Sequence, residues 1–135
     1  MFRRMVIVSV CTALFAWVAE SAIAKGNGGV LKGRTAQHRG IRFGLRSGHV
    51  DLKHVTVKLR CKGGDILIDD ESGFAPSPLK GGRVNDFQVG STDRVWIRGH
   101  LRGRSLRGTI RVRDRWGHHA CDSGWVGFHT SGVGS

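Results

Sequence analysis

The sequence predicts an all-β fold: a single antiparallel β-sandwich or small β-barrel of about seven strands, held by one disulfide. Three observations predict it. Apolar and polar residues alternate in segment after segment, as in "VWIRGHL" and "LRGTIRV", which is the period of a strand with one buried face. Turn-forming pairs such as Ser47-Gly48 and Gly103-Arg104 punctuate these segments at short intervals. Beyond residue 24, no stretch carries the apolar repeat of an amphipathic helix.

Residues 1–24 read as a secretory signal peptide, outside the fold. Arg3 and Arg4 form a basic start, "MVIVSVCTALFAWVA" is an apolar run, and Ala22 and Ala24 put small residues before a cut at Lys25. Glu20 and Ser21 close the run short of the roughly 20 residues of a membrane-spanning helix. Residues 25–135 then form one exported domain, with no membrane association after cleavage and with "KGNGGVLKG" and "SGVGS" as loose tails. An exported chain meets an oxidising compartment, so Cys61 and Cys121 read as a disulfide. The competing reading is a metal site at His118, His119 and Cys121. It offers one short cluster where structural zinc uses paired ligand spacings, and no metal or other cofactor is expected.

"IRFGLRSGHVDL" predicts a hairpin turning at Ser47-Gly48, with Ile41, Phe43, Leu45, Val50 and Leu52 inward. The phase slips at Lys53-His54, and Val55, Val57, Leu59 and Cys61 continue one residue out of step, as across a β-bulge. "DILIDD" is a short strand, "ESGFAPSPLKGG" a loop carrying both prolines, and "RVNDFQV" a strand with Phe87 and Val89 on one face.

Eight arginines fall between Arg94 and Arg115. Alternation makes this segment a hairpin about a type II′ turn at Gly103-Arg104, with Leu101 facing Leu106, Gly99 facing Gly108 and Ile97 facing Ile110. The arginines then line the solvent face. Arg111 falls across from Trp96, within reach of a cation–π contact, and His100 falls across from Arg107. The facing glycines leave a thin spot on the inner face for a large side chain from elsewhere. The last strand is "CDSGWVGFHT", with Val126 and Phe128 on one face and Gly124 at a bulge.

The segments "KGRTAQHRGIRFGLRSGHVDLKHVTVKLRC", "GGRVNDFQV", "WIRGHLRGRSLRGTIRV" and "CDSGWVGF" resemble a group of uncharacterised exported actinobacterial proteins with two cysteines. The shared pattern is a glycine–threonine–x–glutamine segment, a strand ending in the first cysteine, a glycine-rich hairpin and a terminal cysteine–serine–glycine–x–valine segment. The resemblance covers most of residues 25–135 and implies one β domain with a Cys61–Cys121 link. It carries no catalytic residue across. This chain departs from the pattern in having Arg34 before Thr35 and His38 after Gln37.

Function is less legible than fold. The 22 Lys and Arg against 10 Asp and Glu give a net charge of +12, a field that favours polyanionic partners. Trp96, Arg98, Arg102, Arg107, Arg111 and Arg113 place guanidinium groups and an aromatic on one sheet face, a combination that holds phosphates or sulfates and stacks on bases or sugars. The competing reading is an ordinary solvated sheet face. No helix-turn-helix, RNP or zinc-finger signature supports sequence-specific nucleic-acid reading. No G-x-S-x-G elbow, dinucleotide motif or P-loop is present. Asp65, Asp69, Asp70 and Glu71 form an acidic cluster without calcium-loop spacing, read as a solvated loop. His38, His49, His54 and His129 read as surface or turn residues, with added positive charge at lower pH as their functional alternative.

The expectation is an exported, non-enzymatic binding module of the cell envelope or medium. Its partners would be anionic polymers such as cell-wall polymer, glycan or nucleic acid, bound without sequence specificity. The alternatives are a small exported hydrolase using a histidine and a β-barrel holding an apolar ligand.

Overall fold

The computed structural model describes residues 29–133, and every regular element in them is a strand. The signal-peptide reading of residues 1–24 lies outside the described residues. In chain order the strands are β1 (Val30–Thr35), β2 (Gly40–Arg46), β3 (His49–Cys61), β4 (Ile66–Ser72) and β5 (Ser77–Pro78). They continue as β6 (Arg83–Val89), β7 (Asp93–Arg102), β8 (Ser105–Trp116), β9 (His119–Asp122) and β10 (Val126–Gly132).

All ladders are antiparallel. β10 pairs with β1 along one edge and β8 along the other, so β10, β1, β2, β3, β9 and β8 form a closed circuit of pairing. β7 and β6 extend the sheet from the free edge of β8, and β4 and β5 from the free edge of β3.

Ten strands stand where about seven were expected from turn spacing. "KGNGGVLKG" is not wholly a loose tail, because Val30–Thr35 pairs with both β2 and β10. Ser131 and Gly132 of the expected C-terminal tail likewise pair with β1. The proline-bearing loop contributes the two-residue β5, and "CDSGWVGFHT" divides around Gly124, whose φ of 66° turns the chain between β9 and β10. Tails and loops of this composition become strands only because partners elsewhere in the chain complete their hydrogen bonds.

The hairpin register is as the alternation predicts. Leu101 pairs with Leu106, Gly99 with Gly108 and Ile97 with Ile110, and Gly103 takes a φ of 58° at the turn. The β2–β3 register shifts with Lys53 as the extra residue, so both Leu52 and Val55 are buried. Leu31, Ile41, Phe43, Val50, Leu52, Val55, Val57, Leu59, Val84, Val95, Ile97, Leu106, Ile110, Val112, Val126 and Phe128 form one core. The thin spot at the paired glycines is closed mainly by backbone: a Cβ on Gly108 would lie 1.9 Å from the Arg98 carbonyl oxygen.

"RVNDFQV" is a strand, but its expected apolar face points outward. Val84 is buried, whereas Phe87 and Val89 are exposed. The phase is set by Val84 together with Asp86 and Gln88. Asp86 accepts from Ser77 Oγ at 2.6 Å, and the Gln88 amide pairs with Ala75, accepting from its N–H at 2.9 Å and donating to its carbonyl at 2.7 Å.

Gln37 acts in the same way at the β1–β2 turn. Its amide accepts from Lys58 N–H at 2.8 Å and donates to Lys58 carbonyl at 3.1 Å. This fills the stretch of the β3 edge between the β2 ladder, which ends at Val55, and the β9 ladder, which starts at Arg60. Gln37→Ala is expected to cost about 1–3 kcal/mol, because Lys58 would lose both partners in a half-buried site. Denaturant unfolding at unchanged slope checks it.

Candidate functional site: a cationic outer face and an interior carboxylate cluster

The residues expected to form a binding face share the outer side of β7 and β8 but divide into two groups. At one end, Trp96 stacks on Phe87 at 4.8 Å, and the Arg111 guanidinium lies 5.7 Å from the Trp96 ring. Arg111 also forks onto Asp122, donating from Nε at 3.1 Å and from Nη2 at 2.6 Å, while Arg113 Nε sits 3.3 Å from the same carboxylate. The Arg111 hydrogen bonds hold the Asp122 carboxyl below the usual carboxylate range, aided by the Gly124 N–H and the charges of Arg111 and Arg113, against the opposing effect of burial. Arg111 and Arg113 are therefore partly neutralised within the protein.

Arg98, Arg102 and Arg107 make no ion pair among the described residues. Arg98 lies 4.5 Å over the Trp125 ring, and Arg102 donates to His100 Nδ1 at 3.4 Å.

Strand order adds cations that spacing along the chain does not reveal. Arg83 pairs with His100, His100 with Arg107, Arg107 with His129 and His129 with Arg34. These five residues form one line across β6, β7, β8, β10 and β1, which at about 4.8 Å per strand is about 19 Å long. None of its arginines makes an ion pair among the described residues. A shallow, open depression of about 480 Å³ lies on this line, with Arg34, Arg107, Gly127, Phe128 and His129 among its lining residues. Gly127 bears no side chain there, and a Cβ at this position would meet nothing nearer than 3.9 Å. The signal for Arg34, Arg83 and His129 was their outward phase on their own strands, which acquires meaning only when β10 is known to lie between β8 and β1.

The cysteines form the Cys61–Cys121 disulfide, directly across the β3–β9 ladder. Cys121 is therefore unavailable to the alternative metal site with His118 and His119, both of which are exposed.

Two acidic residues expected in a solvated loop are instead on a strand facing inward. Asp69 lies across from Val57 and Glu71 across from Val55, on the core side of β4. Asp65 and Asp70 remain exposed, and Asp70 accepts from Thr56 Oγ1 at 2.6 Å. The paired Asp93 and Asp114 approach from β7 and β8, and carboxylate oxygens of Asp69, Glu71 and Asp114 lie within 4.8 Å of one another. Burial pushes the Glu71 carboxyl up to about 9, and hydrogen bonding and charge from Asp69 and then Asp93 push the same way.

The fold and these two features define a disulfide-linked, all-antiparallel β domain with a cationic outer face and an acidic interior cluster. Comparison with known protein families, curated proteins and solved structures finds no match for this chain.

Proposed function

We propose that this protein is an exported, non-enzymatic binding module for anionic polymers. The observation that carries the reading is the line Arg83–His100–Arg107–His129–Arg34, whose arginines make no ion pair among the described residues and two of which, Arg34 and Arg107, line an open depression. Unneutralised guanidinium groups at strand spacing suit the repeated phosphates or sulfates of a polymer. Trp96 and Trp125, each beside an arginine, add aromatic surface for sugars or bases. We read the closed six-strand circuit as a small barrel filled by its own side chains, which leaves the outer face for ligands. Export accords with the disulfide, a bond that persists in oxidising compartments.

The test is salt-dependent binding of the oxidised protein to nucleic acid, a sulfated glycan and a teichoic-type polymer. Replacing Arg34, Arg83, Arg98 and Arg107 by glutamine is expected to abolish selective binding at physiological salt and to flatten the salt dependence. Replacing Arg111 and Arg113 is expected to cost much less, because Asp122 already engages them. Weak binding to every polymer, falling alike with salt in all proteins, would make the arginines a solvated sheet face.

One contact favours a second reading, a hydrolase. Ser105 Oγ lies 3.1 Å from His129 Nε2, although the hydroxyl also lies 3.0 Å from the Thr130 carbonyl. Among the described residues no carboxylate orients His129, so the constellation lacks its third member. Ester hydrolysis lost in Ser105→Ala would establish this reading.

A further inference from the structure

Among the described strands, β4 pairs with β3 alone, and β7 and β8 hydrogen-bond to each other on a different part of the sheet. Nevertheless the inner faces of these strands bring carboxylates together. Glu71 is only 9% exposed, and no donor from the described residues reaches its side chain; the polar groups against it are those of Asp69 and Asp93. Oδ2 of Asp69 is fully buried with no hydrogen-bond partner. Asp114 Oδ1 accepts the Arg115 N–H at 2.7 Å, a bond that leaves its second oxygen for another partner. Among the described residues, no lysine or arginine forms an ion pair with Asp69, Glu71, Asp93 or Asp114. Asp51, more buried still, is paired with Arg46 and Lys53, whereas this interior cluster has no such partner, which leaves its charge to be met by a proton or by a cation from outside the chain.

We propose that Asp69, Glu71 and Asp114, with Asp93 beside them, bind one divalent cation of the calcium class that ties β4 to β7 and β8. Oxygens bound to one calcium at about 2.4 Å are at most about 4.8 Å apart, and the oxygens of Asp69, Glu71 and Asp114 lie within that span, 4.8 Å. The donors are all carboxylate oxygens, which suit a hard cation; zinc and copper favour the imidazole and thiolate ligands absent from this cluster. Ligands fixed on three strands suit calcium's flexible coordination better than the near-ideal octahedron of magnesium. The cation would work as a cross-link between sheet regions that share no ladder, and the site is independent of the cationic outer face.

The experiment strips the purified, oxidised protein with chelator. It then measures calcium stoichiometry by equilibrium dialysis and thermal unfolding with calcium, magnesium or zinc added. The expected result is one calcium per chain and a Tm raised by about 10 °C at a hundredfold excess over Kd. E71Q and D69N are expected to weaken binding at least about tenfold through loss of ligand charge. D70N, which alters an exposed acid outside the cluster, retains full binding. Melting in chelator confirms that each variant is folded, and D114N provides the same test should E71Q not fold. Absence of stoichiometric calcium binding by the folded wild-type protein overturns the proposal. So does equal binding by E71Q and D69N, or stoichiometric zinc binding in preference to calcium.

Discussion

Replacing Cys61 and Cys121 together by alanine is expected to lower the unfolding free energy by about 4 kcal/mol in the chain-entropy account. The bond joins residues 60 apart in sequence, so it removes a large loop from the unfolded ensemble. Its position magnifies the effect. The β3–β9 ladder that closes the strand circuit consists of only two residue pairs, Arg60 with Asp122 and Cys61 with Cys121. Backbone pairing holds the junction weakly there, and the covalent link sits at its thinnest place. A domain of this size has about 5–15 kcal/mol of total stability, so the loss would move the denaturant midpoint well below that of the wild type. A loss under about 1 kcal/mol would mean that the unfolded chain is already compact around this pair, the alternative that limits disulfide stabilisation generally.

The stability of the chelator-treated protein is expected to fall as pH rises from about 4.5 towards 9, the reverse of ordinary acid denaturation. Glu71 has a folded value of about 9 against an ordinary 4.5. Below the lower value both states hold the proton and no penalty exists. Between the two, the unfolded chain releases the proton while the folded chain retains it, so unfolding gains ground with each unit of pH. Above the upper value both states are ionised, and the penalty is full and constant. At about 1.4 kcal/mol per unit, the accumulated loss amounts to a few kcal/mol. Glu71→Gln, which keeps the shape and removes the ionisation, is expected to flatten this profile and to be more stable than the wild type at pH 8. Denaturant unfolding from pH 5 to pH 9 in chelator checks both statements. A wild-type profile as flat as that of the variant would show that Glu71 ionises without cost in the folded protein.

Much of the fold was legible locally. A strand with one buried face writes its orientation into alternation, so the Leu101–Leu106 and Ile97–Ile110 pairs and the Lys53 bulge were readable residue by residue. The same rule misplaced Phe87 and Val89. The inward positions of β6 are taken by Asp86 and Gln88, whose polar side chains are satisfied by Ser77 and Ala75 from the proline-bearing loop. Hydrophobicity alone could not anticipate partners supplied by a distant segment. β1 escaped for the same reason: "VLKGRT" is a weak strand by composition and is held by two neighbours.

The sequence by itself determined that this protein is an antiparallel β domain with a Cys61–Cys121 link and a basic outer face. Those properties follow from period, turn chemistry, charge and the pair of cysteines in a chain read as exported, all legible without knowing the strand order. Only the tertiary structure decided what lies beside what. It divided the hairpin arginines into those engaged by Asp122 and those free of carboxylates, and it aligned Arg83, His100, Arg107, His129 and Arg34. It also turned Asp69 and Glu71 inward to meet Asp93 and Asp114. The physical reason is that strand order is set by which ladders satisfy each backbone edge across the whole chain, and alternation within one strand carries no information about its neighbours.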